Sequence, residues 1–226
     1  MCTSTIVLAV NGERVVVPAS FSPSHRLIDV LRSETRFTGP KVGCGEGGCG
    51  ACTVLADRFD PVTGAVSRAT INSCLATIGS CNGASITTAE GLGNSKRGFH
   101  PVQEALAKHF ASQCGYCTPG ITVALAAAAD RAAAAEPAAA TVEAGGCDSA
   151  RAAAIAAGLD GNLCRCTGWR PIIDAAREIA DLEDLHKHAC CCSSSSRCSK
   201  ALRQQAPGTA GGRQHGSRRV QGPVAS

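Results

Sequence analysis

The chain has very few aromatic residues. Only 3% of its 226 residues are Phe, Tyr or Trp, with a single Trp, a single Tyr and a single Met. A core must therefore be built from Ala, Val, Ile and Leu, and bound metal would help offset the shortage. No run reaches the roughly eighteen consecutive apolar residues of a membrane-spanning helix. The N-terminus has no basic region, and the apolar stretch from Ile6 to Val10 is too short for a secretory signal. Acids are missing from Arg197 onward, where six of the 22 Lys and Arg lie but none of the 18 Asp and Glu. The formal charge of +4 thus belongs to the tail, residues 1–196 are slightly acidic, and charge gives no sign of a nucleic-acid-binding face.

Cysteine and glycine are plentiful instead, at 15 and 25 residues. An odd cysteine total without a secretory segment argues against a disulfide framework and for a reducing, cytoplasmic compartment. Three of the cysteines lie in Gly43-Cys44-Gly45-Glu46-Gly47-Gly48-Cys49-Gly50-Ala51-Cys52, a C-x4-C-x2-C run, and Cys74 follows downstream. That is the spacing of a plant-type 2Fe-2S site. A loop wrapped around a compact inorganic core must turn sharply and bring N–H groups to the sulfurs, which glycine permits. The run also matches a phosphate-binding glycine pattern twice, but cysteines fill its variable positions and no strand-to-helix unit with an acidic residue about twenty positions later follows. Four thiolates equally suit tetrahedral Zn²⁺, which is the main rival.

A second constellation comprises Cys114-x2-Cys117 and Cys164-x-Cys166. Four thiolates around Zn²⁺ or around an oxidised 2Fe-2S core leave the same net charge, so electrostatics does not name the metal. The tight C-x-C pair departs from zinc-knuckle spacing and tilts the reading toward iron–sulfur. Arg165 and Arg170 stand beside it, where a cation would favour a reduced cluster.

Around these motifs, Ile6 to Val10 and Arg14 to Val17 read as strands flanking an Asn11-Gly12 hairpin turn. Ser24 to Arg36 reads as a helix with Leu27, Val30 and Leu31 inward and Ser22 or Ser24 as N-cap. Thr53 to Ala56 reads as a further strand, with a turn at Asp60 to Gly64. From Pro101 the pattern is helical, first with Val102, Ala105, Leu106 and Phe110 on one stripe, and His100 at the helix start. Helix restarts at Thr118 as N-cap with Pro119 behind it and runs to Ala135; another spans Pro171 to Glu183 with Ile173, Ala176, Ile179 and Ala180 inward. The fold class expected is α+β: residues 1–95 a β-grasp ferredoxin-like domain, residues 96–189 a helical, four-helix-bundle-like 2Fe-2S-binding domain. The Ala-rich stretch 126–157 is expected to bulge out as a poorly packed insert, and the basic tail 190–226 to be disordered.

Four stretches, Lys41 to Thr53, Phe99 to Glu104 (FHPVQE), Ser112 to Gly120 (SQCGYCTPG) and Gly161 to Pro171 (GNLCRCTGWRP), are similar to the two-cluster N-terminal region of the xanthine dehydrogenase and aldehyde oxidase family. The likeness runs from about residue 5 to about 185, and Glu90 to Ser95 (EGLGNS) leans toward plant-type aldehyde oxidase. The resemblance implies two 2Fe-2S clusters, one on Cys44, Cys49, Cys52 and Cys74 toward a flavin, the other on Cys114, Cys117, Cys164 and Cys166 toward molybdenum. It implies that electrons pass from a molybdopterin site through both clusters to FAD, with no catalytic residue in this chain. It places Gln113 and Cys166 against the pterin, and Glu46 and Gly47 near the flavin. FAD and molybdopterin would sit on other domains or subunits, which are the implied partners; neither nucleic acid nor membrane is implied.

Two departures stand out. Forty-six residues separate Cys117 from Cys164, more than the family's usual connection, and the likeness stops near Leu185, before any flavin or molybdopterin domain. Separate subunits would supply those, or the chain is a shortened or misread gene product, which the patternless tail favours. Two further readings stand beside the lead: a stand-alone ferredoxin-like carrier, and a zinc-stabilised interaction protein without redox role. Cys2, Cys81, Cys147, Cys190, Cys191, Cys192 and Cys198 have no assigned role, with Cys81 expected to be a small core residue and Trp169 to pack over its loop.

Overall fold

A computed structural model describes residues 5–60, 62–134 and 150–184. These belong to one compact unit that ends at His186; the second unit, from Lys187, lies outside the described residues, as do Cys2, Cys147, Cys190, Cys191, Cys192 and Cys198.

Five strands form one mixed sheet in the order β2-β1-β5-β3-β4. β1 (Val7–Val10) and β2 (Glu13–Val16) are the expected hairpin. Its turn puts Asn11 at φ 51° and Gly12 at φ 83°, the double positive φ that a two-residue turn requires. The Asn11 side chain also reaches Thr88, accepting from its N–H and donating to its hydroxyl, each at 2.9 Å. α1 (Leu27–Glu34) buries Leu27, Ile28, Val30 and Leu31 completely. At about 1.5–3 kcal/mol for each fully buried aliphatic side chain, this one face fixes the helix on the sheet. Its N-cap is Arg26 rather than Ser22 or Ser24, whose hydroxyls bond each other at 2.9 Å in the preceding turn.

β3 (Thr53–Phe59) pairs antiparallel with β4 (Val66–Asn72) and with β5 (Ser85–Thr87), and β1 runs parallel to β5. Neither β4 nor β5 was legible in the sequence. β4 lies at the sheet edge and exposes most of its length, so it carries no alternating apolar pattern, and β5 is only three residues long. Cys81 is fully buried in the core of this sheet, as expected.

The helical half starts with α2 (Ala89–Leu92) and α3 (Pro101–Lys108). His100 caps α3 through a reciprocal arrangement with Gln103. Phe110 does not continue the stripe: it follows the helix end at φ 53° and is 84% exposed. In α4 (Thr118–Ala134) the Cys117 carbonyl accepts the first helical bond, from Ile121 N–H at 3.1 Å, so Cys117 occupies the cap position and Thr118 the first helical one. α5 (Ala150–Ala157) and α6 (Arg170–Asp184) complete the unit, and α3, α4, α5 and α6 share one apolar cluster. On α6 it is Ile172, Ala175, Ala176, Ile179 and Ala180 that are buried, with Ile173 only half-buried.

The Ala-rich stretch is not a loose bulge at either end. Ala126 to Ala129 are buried in α4, and Ala152 and Ile155 are buried in α5. Alanine fails to register as core by hydrophobicity, yet its small size lets helices approach closely: a Cβ on Gly158 would come within 2.4 Å of the Ala128 methyl. Only residues 135–149 of the stretch lie outside the description. α4 is enclosed on nearly all sides, by the helical cluster and, through Val123 and Ala127, by Leu55 of β3.

Candidate metal centres

Cys44, Cys49 and Cys52 lie on the glycine loop between α1 and β3, and Cys74 just past β4. Packing of Ile28 on α1 against Cys52 and Cys74 fixes the inner half of this set, and Ser73, fully buried, donates its hydroxyl to the Cys52 carbonyl at 2.7 Å. The outer half is held by a turn with Gly45 at φ 76°, Gly47 at φ 83° and Gly50 at φ 67°. Gly43 is needed for room, since a Cβ there would sit 2.8 Å from Cys49 Sγ. The Glu46 N–H points at Cys44 Sγ from 3.4 Å, and Asn72 Nδ2 donates to the Gly47 carbonyl at 3.1 Å.

The thiols of the set interact with one another, Cys44 with Cys49, and Cys52 with both Cys74 and Cys49. Backbone N–H groups, the Glu46 one foremost, and the Cys49 side chain lower the Cys44 pKa to about 7. Burial pushes the Cys52 thiol up to about 11.

The second set repeats the scheme at the ends of helices. Cys114 and Cys117 lie in the turn before α4, with Gly115 at φ 78°; Cys164 and Cys166 lie in the loop before α6, with Gly168 at φ 71°. Cys114 interacts with Cys166 and Cys164, and Cys117 with Cys164 and Cys114. The Tyr116 N–H draws the Cys114 pKa down, while burial pushes Cys117 up to about 12. Cys164 is pushed up by burial, but Thr167, whose hydroxyl lies 3.2 Å from its sulfur, and nearby N–H groups bring it below the ordinary thiol value. Trp169 is half-buried against the helical cluster, and its carbonyl accepts from Ile172 and Ile173 at the start of α6.

Each set thus brings four thiols into one neighbourhood, the number of thiolates that a two-iron core takes. N–H groups aimed at sulfur and glycines that clear space around it supply the remaining features of the donor set.

Of the other sequence-derived site residues, Glu46 and Gln113 are exposed, Gly47 is half-buried beneath Leu75, and Cys166 is exposed. Arg170 is paired with Asp174 at 2.9 Å, and Arg165 is exposed. Ser73, Asn72, Thr167 and Asn162 went unnoticed in the sequence. Each supports a cysteine loop, and their only sequence signal is adjacency to a cysteine or one turn's distance from it.

A family profile described as "2Fe-2S iron-sulfur cluster binding domain" matches residues 9–78, and one described as "[2Fe-2S] binding domain" matches residues 88–177. Indole-3-acetaldehyde oxidase from Zea mays is 46% identical over 190 residues, an alignment covering 80% of this chain and 14% of that protein. The aldehyde oxidoreductase structure from Desulfovibrio desulfuricans matches with 34% identity and a TM-score of 0.62, covering 80% of this chain and 17% of that one. Quinoline 2-oxidoreductase from Pseudomonas putida matches with 31% identity and a TM-score of 0.60, covering 82% of this chain and 97% of the matched chain. Fold and thiol grouping together therefore define a protein with two 2Fe-2S-binding domains. The chain belongs to the xanthine dehydrogenase and aldehyde oxidase family, as its iron–sulfur region, and it spans 14% of the length of the plant relative.

Proposed function

We propose that the chain is an electron relay between a molybdopterin site and FAD in a xanthine dehydrogenase or aldehyde oxidase-type enzyme. Cys44, Cys49, Cys52 and Cys74 hold one 2Fe-2S cluster and Cys114, Cys117, Cys164 and Cys166 the other. When bound, each cluster supplies a one-electron redox couple. The observation that carries the reading is the gathering of eight thiols into two groups of four, Cys44, Cys49, Cys52 and Cys74 in one and Cys114, Cys117, Cys164 and Cys166 in the other. N–H groups at Glu46 and Tyr116 stabilise the thiolate form at Cys44 and Cys114, the form that binds iron.

The sheet with α1 is on this reading the ferredoxin-like β-grasp and α3 to α6 the four-helix bundle, with the domain boundary near residue 95. Both cysteine loops reach solvent, at Cys44 in the first set and at Cys114 and Cys166 in the second, which leaves each set accessible to a partner. Gln113 and Cys166 face the pterin of one partner, and Glu46 and Gly47 the flavin of another. All nine described cysteines are free thiols, which supports a reducing, cytoplasmic setting. Among the described residues no helix is long and apolar enough to cross a membrane.

Affinity isolation of the full chain from its source tests the reading. Flavin and molybdenum are expected in the isolate together with iron, and iron-loaded chain that brings neither would contradict the relay role.

A further inference from the structure

Between the two cysteine sets lies a junction centred on the peptide carbonyl of Gly50. Cys49 and Gly50, consecutive in the first loop, offer their carbonyls to consecutive residues of the second: Leu163 N–H donates to the Cys49 carbonyl at 3.0 Å, and Asn162 Nδ2 to the Gly50 carbonyl at 3.1 Å. Asn162 is 6% exposed, so its amide is out of water and committed to this contact. From the other side the Gly50 carbonyl presses on α4 at Gly120, where a Cβ would lie 2.1 Å from that oxygen. A Cβ on Gly50 itself would lie 2.4 Å from Asn162 Nδ2 and 2.5 Å from the Gly161 carbonyl. Three elements thus meet with no room for a methyl group. Each carries thiols nearby: Gly50 follows Cys49, Gly120 stands three residues after Cys117, and Asn162 two before Cys164.

We infer that Asn162 is a positioning residue that sets the separation and mutual orientation of the two clusters. This rests on the cluster assignment proposed above. Asn162 is not one of the eight thiols, so replacing it leaves every candidate ligand in the chain. What is lost is the side-chain tie between the loops, which stands beside the backbone bond from Leu163 N–H to the Cys49 carbonyl. The Gly50 carbonyl also accepts from Thr53 N–H at 3.1 Å, so without Asn162 it keeps its partner in its own loop and loses the one that comes from the other.

The test is low-temperature EPR of the full chain, loaded anaerobically with iron and sulfide and fully reduced, where two neighbouring paramagnets split each other's signals. Asn162→Ala, Asn162→Asp, which keeps the shape but removes the donor, and Gly120→Ala, which wedges α4 from Gly50, should each keep both signals and lose or reduce the splitting. Gly161→Ala, where a Cβ meets nothing within 4 Å, should keep it. Unchanged splitting in the three variants overturns the inference, and so does loss of either signal in all three, which would make the junction a requirement of folding or binding. Two unsplit signals in the unmodified chain overturn it as well. An unmodified chain that takes up no iron instead removes the cluster assignment beneath it.

Discussion

Cys44 and Cys52 belong to one set of four, yet their thiols are driven in opposite directions, the first down to about 7 by backbone N–H groups and the second up to about 11 by burial. The exposed member of the set is ready to bind as a thiolate. The buried one keeps its proton until metal displaces it, so loading releases protons. Cysteine spacing pointed to eight candidate thiols in two sets, but not to how the loops that carry them are held. Asn162 and Ser73 escaped because a polar residue near a cysteine looks like surface until the fold buries it. Cys49→Ser should abolish one of two EPR signals and keep the other; loss of both would contradict two separate sites. Gly43→Ala should have the same selectivity in milder form, since its methyl group would press on Cys49 Sγ from 2.8 Å, and full iron content with unaltered spectra would show that the loop has room to spare.

Among the elements, the hairpin, α1, α3, α4 and α6 followed from turn chemistry and apolar periodicity. α5 lies in a stretch that alanine makes helical by propensity, but its packing did not follow, because a helix of alanine around one Ile carries almost no pattern. Ile155 is nonetheless fully buried in the helical core. Ile155→Ala should cost about 2–5 kcal/mol in urea unfolding; a change near zero would restore the picture of a loose insert. α3 and α6 are further tied by Glu178, which meets Lys108 at 2.9 Å and His109 at 2.6 Å. Lys108 foremost, with His109, holds the Glu178 carboxyl below its ordinary value. A depressed carboxyl stabilises the fold above its unfolded pKa, about 4.3, and the contribution disappears as pH falls through the lower folded value. Glu178→Gln should therefore lower stability by about 0.5–1 kcal/mol at neutral pH, with the difference from the unmodified chain closing in acid. A difference independent of pH would show that the ion pair is not its source.

At the scale of the whole molecule, the described residues hold two cysteine sets in one compact unit, with α4 enclosed between sheet and helices and the junction at Gly50 joining the two loops. On the proposed reading this architecture holds two redox centres in one unit. All eight candidate thiols lie between Cys44 and Cys166. Removing residues 190–226 should accordingly leave both EPR signals intact, and loss of either would show that the tail belongs to the working structure. The central claim is that eight thiols bind two two-iron cores, and metal and acid-labile sulfide analysis of anaerobically isolated chain tests it most directly. About four irons and four sulfides per chain are expected, two of each per cluster; zinc in their place, or iron without sulfide, would contradict it.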